Sequence, residues 1–141
     1  MTLAELSRTL PNGFHDAELY SVCVDYISRQ AELRFGIFVD LAPLPTEGDN
    51  TFRIVYRRAC LKLSGVEYLV TQPPPDAYDP DDAPMVISEG EVSLTNGPKL
   101  PDLEQADAFR YWFWVSQWQS PVYVAATNAR LEWEPEPSAV V

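Results

Sequence analysis

The chain has 141 residues, 46% of them apolar and 12% aromatic, with ten basic and twenty-one acidic side chains giving a formal charge of −11. That length suits a single domain spanning residues 1–141 with a core of its own, and the apolar share excludes a disordered profile. The acidic field repels phosphate backbones and anionic bilayers, so neither nucleic acid nor a membrane is an expected partner; a basic protein or a cationic ligand is attracted, and charge serving solubility alone is the favoured reading.

Thr2 and Glu5 have capping-box spacing, and Leu3, Leu6 and Leu10 recur at helical intervals, which predicts a short helix over residues 3–9. Pro11 stops it, and Asn12-Gly13 supplies a turn that tolerates positive φ. From Leu19 the period becomes two. Val22, Val24 and Tyr26 share one face, and Ser28-Arg29-Gln30 turns the chain into Ala31, Leu33, Phe35, Ile37 and Val39. Residues 19–40 therefore predict a long antiparallel hairpin.

Pro43, Pro45 and Gly48-Asp49-Asn50 mark a loop before a strand from Thr51 to Leu63. In that strand Phe52, Ile54 and Tyr56 lie on one parity and Ala59, Leu61 and Leu63 on the other. A β-bulge at Arg57-Arg58 would bring both sets to one face. Gly65 leads into a strand over residues 66–70, expected to complete a second hairpin. The acidic, proline-rich stretch from Gln72 to Pro84 predicts an exposed loop. Short strand pieces are expected at residues 85–87 and 91–94, on either side of Ser88-Glu89-Gly90. A helical turn is expected over residues 102–107. Phe109 to Ser116 is rich in aromatic and β-branched residues and reads as a strand; helix is the alternative. Gln117 to Pro121 turns it back into Val122–Ala126, and Ala129–Trp133 supplies the last strand, with Pro135 and Pro137 loosening the tail.

Cys23 and Cys60 lie in predicted strands with no Cys-x-x-Cys spacing, and each is expected to pack as a small hydrophobe. The first residues lack the basic start and apolar run of a secretion signal, and no apolar run approaches transmembrane length, so the expected compartment is cytoplasmic.

The candidates for chemistry are few. His15-Asp16 has the residue types of a general-base pair, but sequence neighbours usually point apart, and Asn12 or Asp16 bonding turn amides while His15 packs at the strand entrance is the favoured reading. One histidine and two unspaced cysteines make no ordinary zinc site, and Asp76, Asp79, Asp81 and Asp82 lack the EF-hand pattern, so no metal and no cofactor is expected. With no nucleophile elbow and no phosphate-binding glycine loop, no catalytic residue is assigned. Trp112 and Trp114 share a strand face opposite Tyr111 and Phe113, so a second covering is needed there: another element, a second subunit or a ligand.

Leu10-Pro11-Asn12-Gly13-Phe14-His15-Asp16-Ala17-Glu18-Leu19, followed by Val24-Asp25-Tyr26, resembles the opening of a group of short, uncharacterised bacterial proteins sharing an Asn-Gly-Phe-His-Asp-Ala stretch. In size, acidity and β content the chain is also similar to small immunity proteins that neutralise bacterial toxins. These resemblances imply a bacterial cytosolic protein and bring no catalytic residues.

The sequence thus predicts a mainly β domain, an antiparallel β-sandwich or strongly curved sheet with a short N-terminal helix. The expected function is non-enzymatic protein binding, in the manner of an immunity-type inhibitor, with Arg57, Arg58, Trp112, Trp114 and Trp118 as anchors. A pocket for a small ligand or substrate around Asn12, His15 and Asp16 is one alternative. Self-association through the Trp112/Trp114 face is the other.

Overall fold

Helix α1 (Leu3–Arg8) opens the chain, and the expected capping box fixes its start. The Glu5 amide donates to Thr2 Oγ1 at 3.1 Å, and the Thr2 amide donates to Glu5 Oε2 at 2.9 Å. Six residues are too few for a stable isolated helix, so its order depends on burying Leu3 and Leu6. The computed structural model describes residues 1–43, 52–71, 84–92 and 99–135.

After α1 come β1 (Pro11–Phe14), β2 (Glu18–Asp25), β3 (Gln30–Pro43), β4 (Phe52–Ser64), β5 (Tyr68–Val70), β6 (Val86–Glu91), β7 (Phe109–Val115), β8 (Ser120–Ala126) and β9 (Asn128–Trp133). They form two antiparallel sheets, β2-β3-β4-β9 and β5-β8-β7-β6. Alternate residues of each sheet face the other, as a sandwich requires. Leu19, Leu33, Phe35, Ile37, Ala59, Leu61 and Leu63 from the first sheet meet Val86, Tyr111, Phe113, Val115, Val122 and Val124 from the second. Phe14 enters between them. Its ring lies 5.0 Å from Phe35 and 5.3 Å from Phe113, so it joins both sheets. The expected sandwich with a short N-terminal helix is therefore the observed fold.

The 19–40 hairpin is present, and Phe109–Val115 is a strand. Its β2–β3 turn falls at Tyr26–Arg29. Asp25 Oδ1 accepts the Ile27 and Ser28 amides at 2.9 and 3.2 Å, bonds that hold its carboxyl below the usual range.

Several local expectations are overturned. The pairing of β3 with β4 runs without a slip through Arg57 and Arg58, opposite Ile37 and Gly36. The irregularity lies on β3, where Val39 is the extra residue between Phe38 and Asp40. The parity conflict in β4 is real: Ala59, Leu61 and Leu63 face the core, and Phe52, Ile54 and Tyr56 face outward at the far end of the same strand.

Residues 66–70 make no hairpin with β4. The chain turns at Gly65, with φ of +62°, and crosses to the other sheet, where β5 pairs with β8. A Cβ at Gly65 would come within 2.0 Å of Thr127 Oγ1, so the crossing needs glycine.

Ser88-Glu89-Gly90 is not a turn but the middle of β6, with Ile87 as a bulge residue. The turn expected over residues 102–107 is confined to its end, where the Ala108 amide donates to the Gln105 carbonyl at 3.2 Å, and the Glu104 and Gln105 amides donate to the Glu67 carboxylate at 2.5 and 3.1 Å. Cys60 is buried as expected, whereas Cys23 is exposed on the outer face of an edge strand. The acidic proline stretch up to residue 83, the 44–51 loop, the piece at 93–94 and Pro137 lie outside the described residues.

Candidate functional site

The segment that carries His15 is built by its neighbours. Gly13 has φ of +56°, and a Cβ there would lie 2.5 Å from Ser7 Oγ and 2.8 Å from Glu89 Oε2. The backbone sits this close because Glu89 gathers three donors: the Phe14 amide at 2.5 Å, Ser7 Oγ at 2.5 Å and the Tyr111 hydroxyl. Burial first, then the bond to Glu89, raises the Tyr111 phenol above its ordinary pKa. The tight turn is at His15-Asp16, three residues later than expected, with Asp16 at φ of +64°. Asn12 Nδ2 clamps it by donating to the His15 carbonyl at 3.2 Å and to Asp16 Oδ2 at 3.3 Å. The Asp16 amide donates to the Val86 carbonyl at 2.7 Å, tying the turn to the second sheet.

His15 does not pack at the strand entrance. Its side chain is 49% exposed, with Nε2 3.7 Å from Asp16 Oδ1. Among the described residues no hydrogen bond joins the imidazole to a third side chain. Glu89, which anchors the whole segment, was missed by sequence reasoning because a glutamate between serine and glycine reads as turn material.

The outer face of the first sheet shows a different arrangement. Tyr20 is the extra residue of a bulge between Leu19 and Ser21. Its ring crosses β3 over Gly36, where a Cβ would lie 2.8 Å from the hydroxyl. Arg58 Cζ sits 4.9 Å from that ring, and the Tyr20 hydroxyl donates to Glu18. Burial, reinforced by Glu18, pushes the Tyr20 phenol up to about 12. Tyr56 is also raised, first by burial and then by the charges of Glu18 and Asp16. Asp16 and Arg58, far apart in sequence, thus belong to one end of one face.

Arg57, of opposite parity, places Cζ 5.0 Å from the Trp133 ring. Between this end of β4 and the close of β9 lies a groove of about 490 Å³, lined by Val39, Val55, Tyr56, Arg57, Arg58, Glu134 and Pro135. The Glu134 amide donates to the Arg58 carbonyl at 3.0 Å, which shows that the polar groups of Arg58 point away from β3. By alternation those of Tyr56, Ile54 and Phe52 do too. β9 pairs with β4 only from Ala59 to Ser64. Among the described residues, no strand lies against that side of Phe52–Tyr56. Phe52 is 58% exposed, Ile54 40%, and Leu41, opposite Ile54 on β3, 49%.

The tryptophans do not join this site. Trp112 lies across Gly90 of β6, where a Cβ would be 3.3 Å from the indole, so a neighbouring strand covers much of it. Trp114 is exposed on the outer face of the second sheet, and Trp118 packs against the core from the β7–β8 turn. Arg58 and Trp114 therefore stand on opposite outer faces and cannot anchor one partner surface together.

Among the described residues no group of three or more His, Cys, Asp or Glu side chains is placed to hold a metal ion, and no helix is long and apolar enough to cross a membrane. No family model, curated protein or solved structure matches the chain.

Proposed function

We propose that the chain acts by binding another protein, without bond-making chemistry of its own, through the end of the first sheet formed by β3 and β4. The observation that carries this reading is the side of Phe52–Tyr56 against which no described strand lies, with Phe52, Ile54 and Leu41 exposed beside the Arg57/Arg58 groove. Solvated strand edges are usually blunted by charge, proline or covering elements, because they template pairing with another chain. Here the outer row is apolar instead. The charge of −11 favours basic partners at long range, and neutralising a basic toxin as an immunity-type inhibitor is the specific form this takes in a bacterial cytoplasm. The small-ligand alternative draws less support, since neither His15 nor Asp16 lines the groove.

A photo-crosslinking side chain at Ile54, compared with one at Ile87 in the native cell, tests the reading. Ile87 is similarly exposed but lies on the second sheet. Discrete protein adducts at position 54 that vanish with Phe52→Arg are the expected outcome. Equal labelling at both positions, or none at 54, refutes it.

A further inference from the structure

We infer that the partner of this edge is a second copy of the chain, joined antiparallel along β4 about a two-fold axis through Ile54. The inference rests on the protein-binding reading above and commits the same edge to a second copy of the chain in place of a basic toxin.

The register follows from geometry. In an antiparallel pair, residues directly opposite each other point to the same face, so two copies of β4 must pair with even-numbered residues against even-numbered ones. The three residues whose backbone groups point outward are Phe52, Ile54 and Tyr56, and Ile54 is their centre. Pairing on Ile54 sets Phe52 of each copy opposite Tyr56 of the other and Ile54 opposite itself. All three become hydrogen-bonded pairs, giving about six new backbone bonds. The outer row then reads aromatic, aliphatic, aromatic in both directions, and each Leu41 flanks the central isoleucines. Such a row complements itself, as a two-fold interface demands, and aromatic pairs of this kind stabilise antiparallel sheets.

Charge agrees on the other face. In this register Arg53 of the second copy falls opposite Val55, and Asp40 is the residue aligned with Val55 on β3, on that same face. Asp40 is exposed and joins no ion pair among the described residues, its Oδ1 accepting only the Leu41 amide at 2.8 Å. An arginine reaching over the short valine meets that carboxylate, once on each side of the axis. A strand of five residues with these side chains makes a small interface, so the dimer belongs to the weak, concentration-dependent class. With −11 on each copy, long-range repulsion opposes it. Added salt screens that repulsion and strengthens the dimer, whereas it weakens the steered binding of a basic protein.

The test is sedimentation together with disulfide trapping on the full chain. In a Cys23→Ser background, Ile54→Cys places two thiols on Cα atoms about 5.5 Å apart, within disulfide reach. Rapid oxidation of Ile54→Cys to a covalent dimer, mixed disulfides between Phe52→Cys and Tyr56→Cys chains, and none at Ile87→Cys are expected. The uncrosslinked protein should shift from monomer to dimer with concentration, more readily at high salt, and Ile54→Arg should abolish the shift while Trp114→Ala leaves it. A monomer at every concentration, or a dimer untouched by Ile54→Arg, overturns the inference. If the chain is monomeric but position 54 still crosslinks to a different protein, the protein-binding reading stands and this inference falls. If nothing crosslinks there, both fall.

Discussion

Replacing Gly13 with alanine is the sharpest probe of how the N-terminal segment is held. Two separate penalties act. The left-handed backbone at φ of +56° disfavours an L-residue by about 1–2 kcal/mol. The new methyl also falls 2.5 Å from Ser7 Oγ and 2.8 Å from Glu89 Oε2, so the charge-assisted bond between them must yield, a loss of about 1.5–3 kcal/mol. Together they amount to about 2.5–5 kcal/mol, a large share of the roughly 5–15 typical of a domain, and lower the melting temperature by about 10–15 °C. Urea unfolding of wild type, Gly13→Ala, Ser7→Ala and the double variant forms a cycle that separates the two. With Ser7 already truncated, the alanine displaces no hydroxyl, so the double variant should be more stable than the sum predicts by about 1.5–3 kcal/mol, the bond lost in both single variants. Gly36→Ala serves as a control, since its methyl meets chiefly the far end of the Tyr20 side chain, which can swing outward. A Gly13→Ala protein within about 0.5 kcal/mol of wild type would refute the account, because that is the scatter of inert surface substitutions.

Phe14→Ala removes the ring shared by both sheets and should lower unfolding stability by about 3–5 kcal/mol, with loss of near-ultraviolet circular dichroism; a smaller loss means the sheets close over the gap. Tyr20 holds its proton up to about 12 in the folded state against an ordinary value of 10. Between those values the folded chain binds more protons than the unfolded one, so the contribution is complete below pH 10 and is lost as pH rises through 12. Tyr20→Phe should flatten that alkaline limb and remove one late-titrating phenolate from the absorbance titration. Trp112→Ala should destabilise the fold more than Trp114→Ala in urea unfolding, because Trp112 packs over Gly90 while Trp114 is the more exposed of the two; equal losses would contradict the placement.

The hydrophobic period made the sandwich legible: strands β2, β3, β7 and β8 alternate with few exceptions, and the capping box marked the helix. What escaped the sequence was the set of contacts that join distant strands. Gly65 reads equally well as a hairpin turn or as a crossing between sheets, and only Thr127, met from the other side, decides between them. Glu89 reads as turn polarity until Ser7, Phe14 and Tyr111 converge on it. At the candidate surface, Arg57 and Arg58 were identified from the parity conflict around them. The remedy assigned there, an inserted residue, was wrong because it assumed that apolar residues on one strand must share one face.

That assumption fails for a physical reason that bears on function. β3 and β4 have 14 and 13 residues, whereas the longest strand of the second sheet has 7, so their far ends run past the facing sheet. Where Leu61 and Leu63 lie opposite the second sheet, the inner face is apolar. Past Arg57, whose partner Ile37 is still fully buried in the core, the exposed apolar residues of β4 lie on the other face, as Phe52 and Ile54, with Tyr56 half-buried beside them. A strand that merely overhung the core would carry polar residues on both faces there, since nothing in the fold requires an outward isoleucine between two aromatics. The switch in parity is therefore best explained by a second surface acting on the same strand. Among the described residues no strand pairs with that edge, and an intermolecular surface is the one we propose for it.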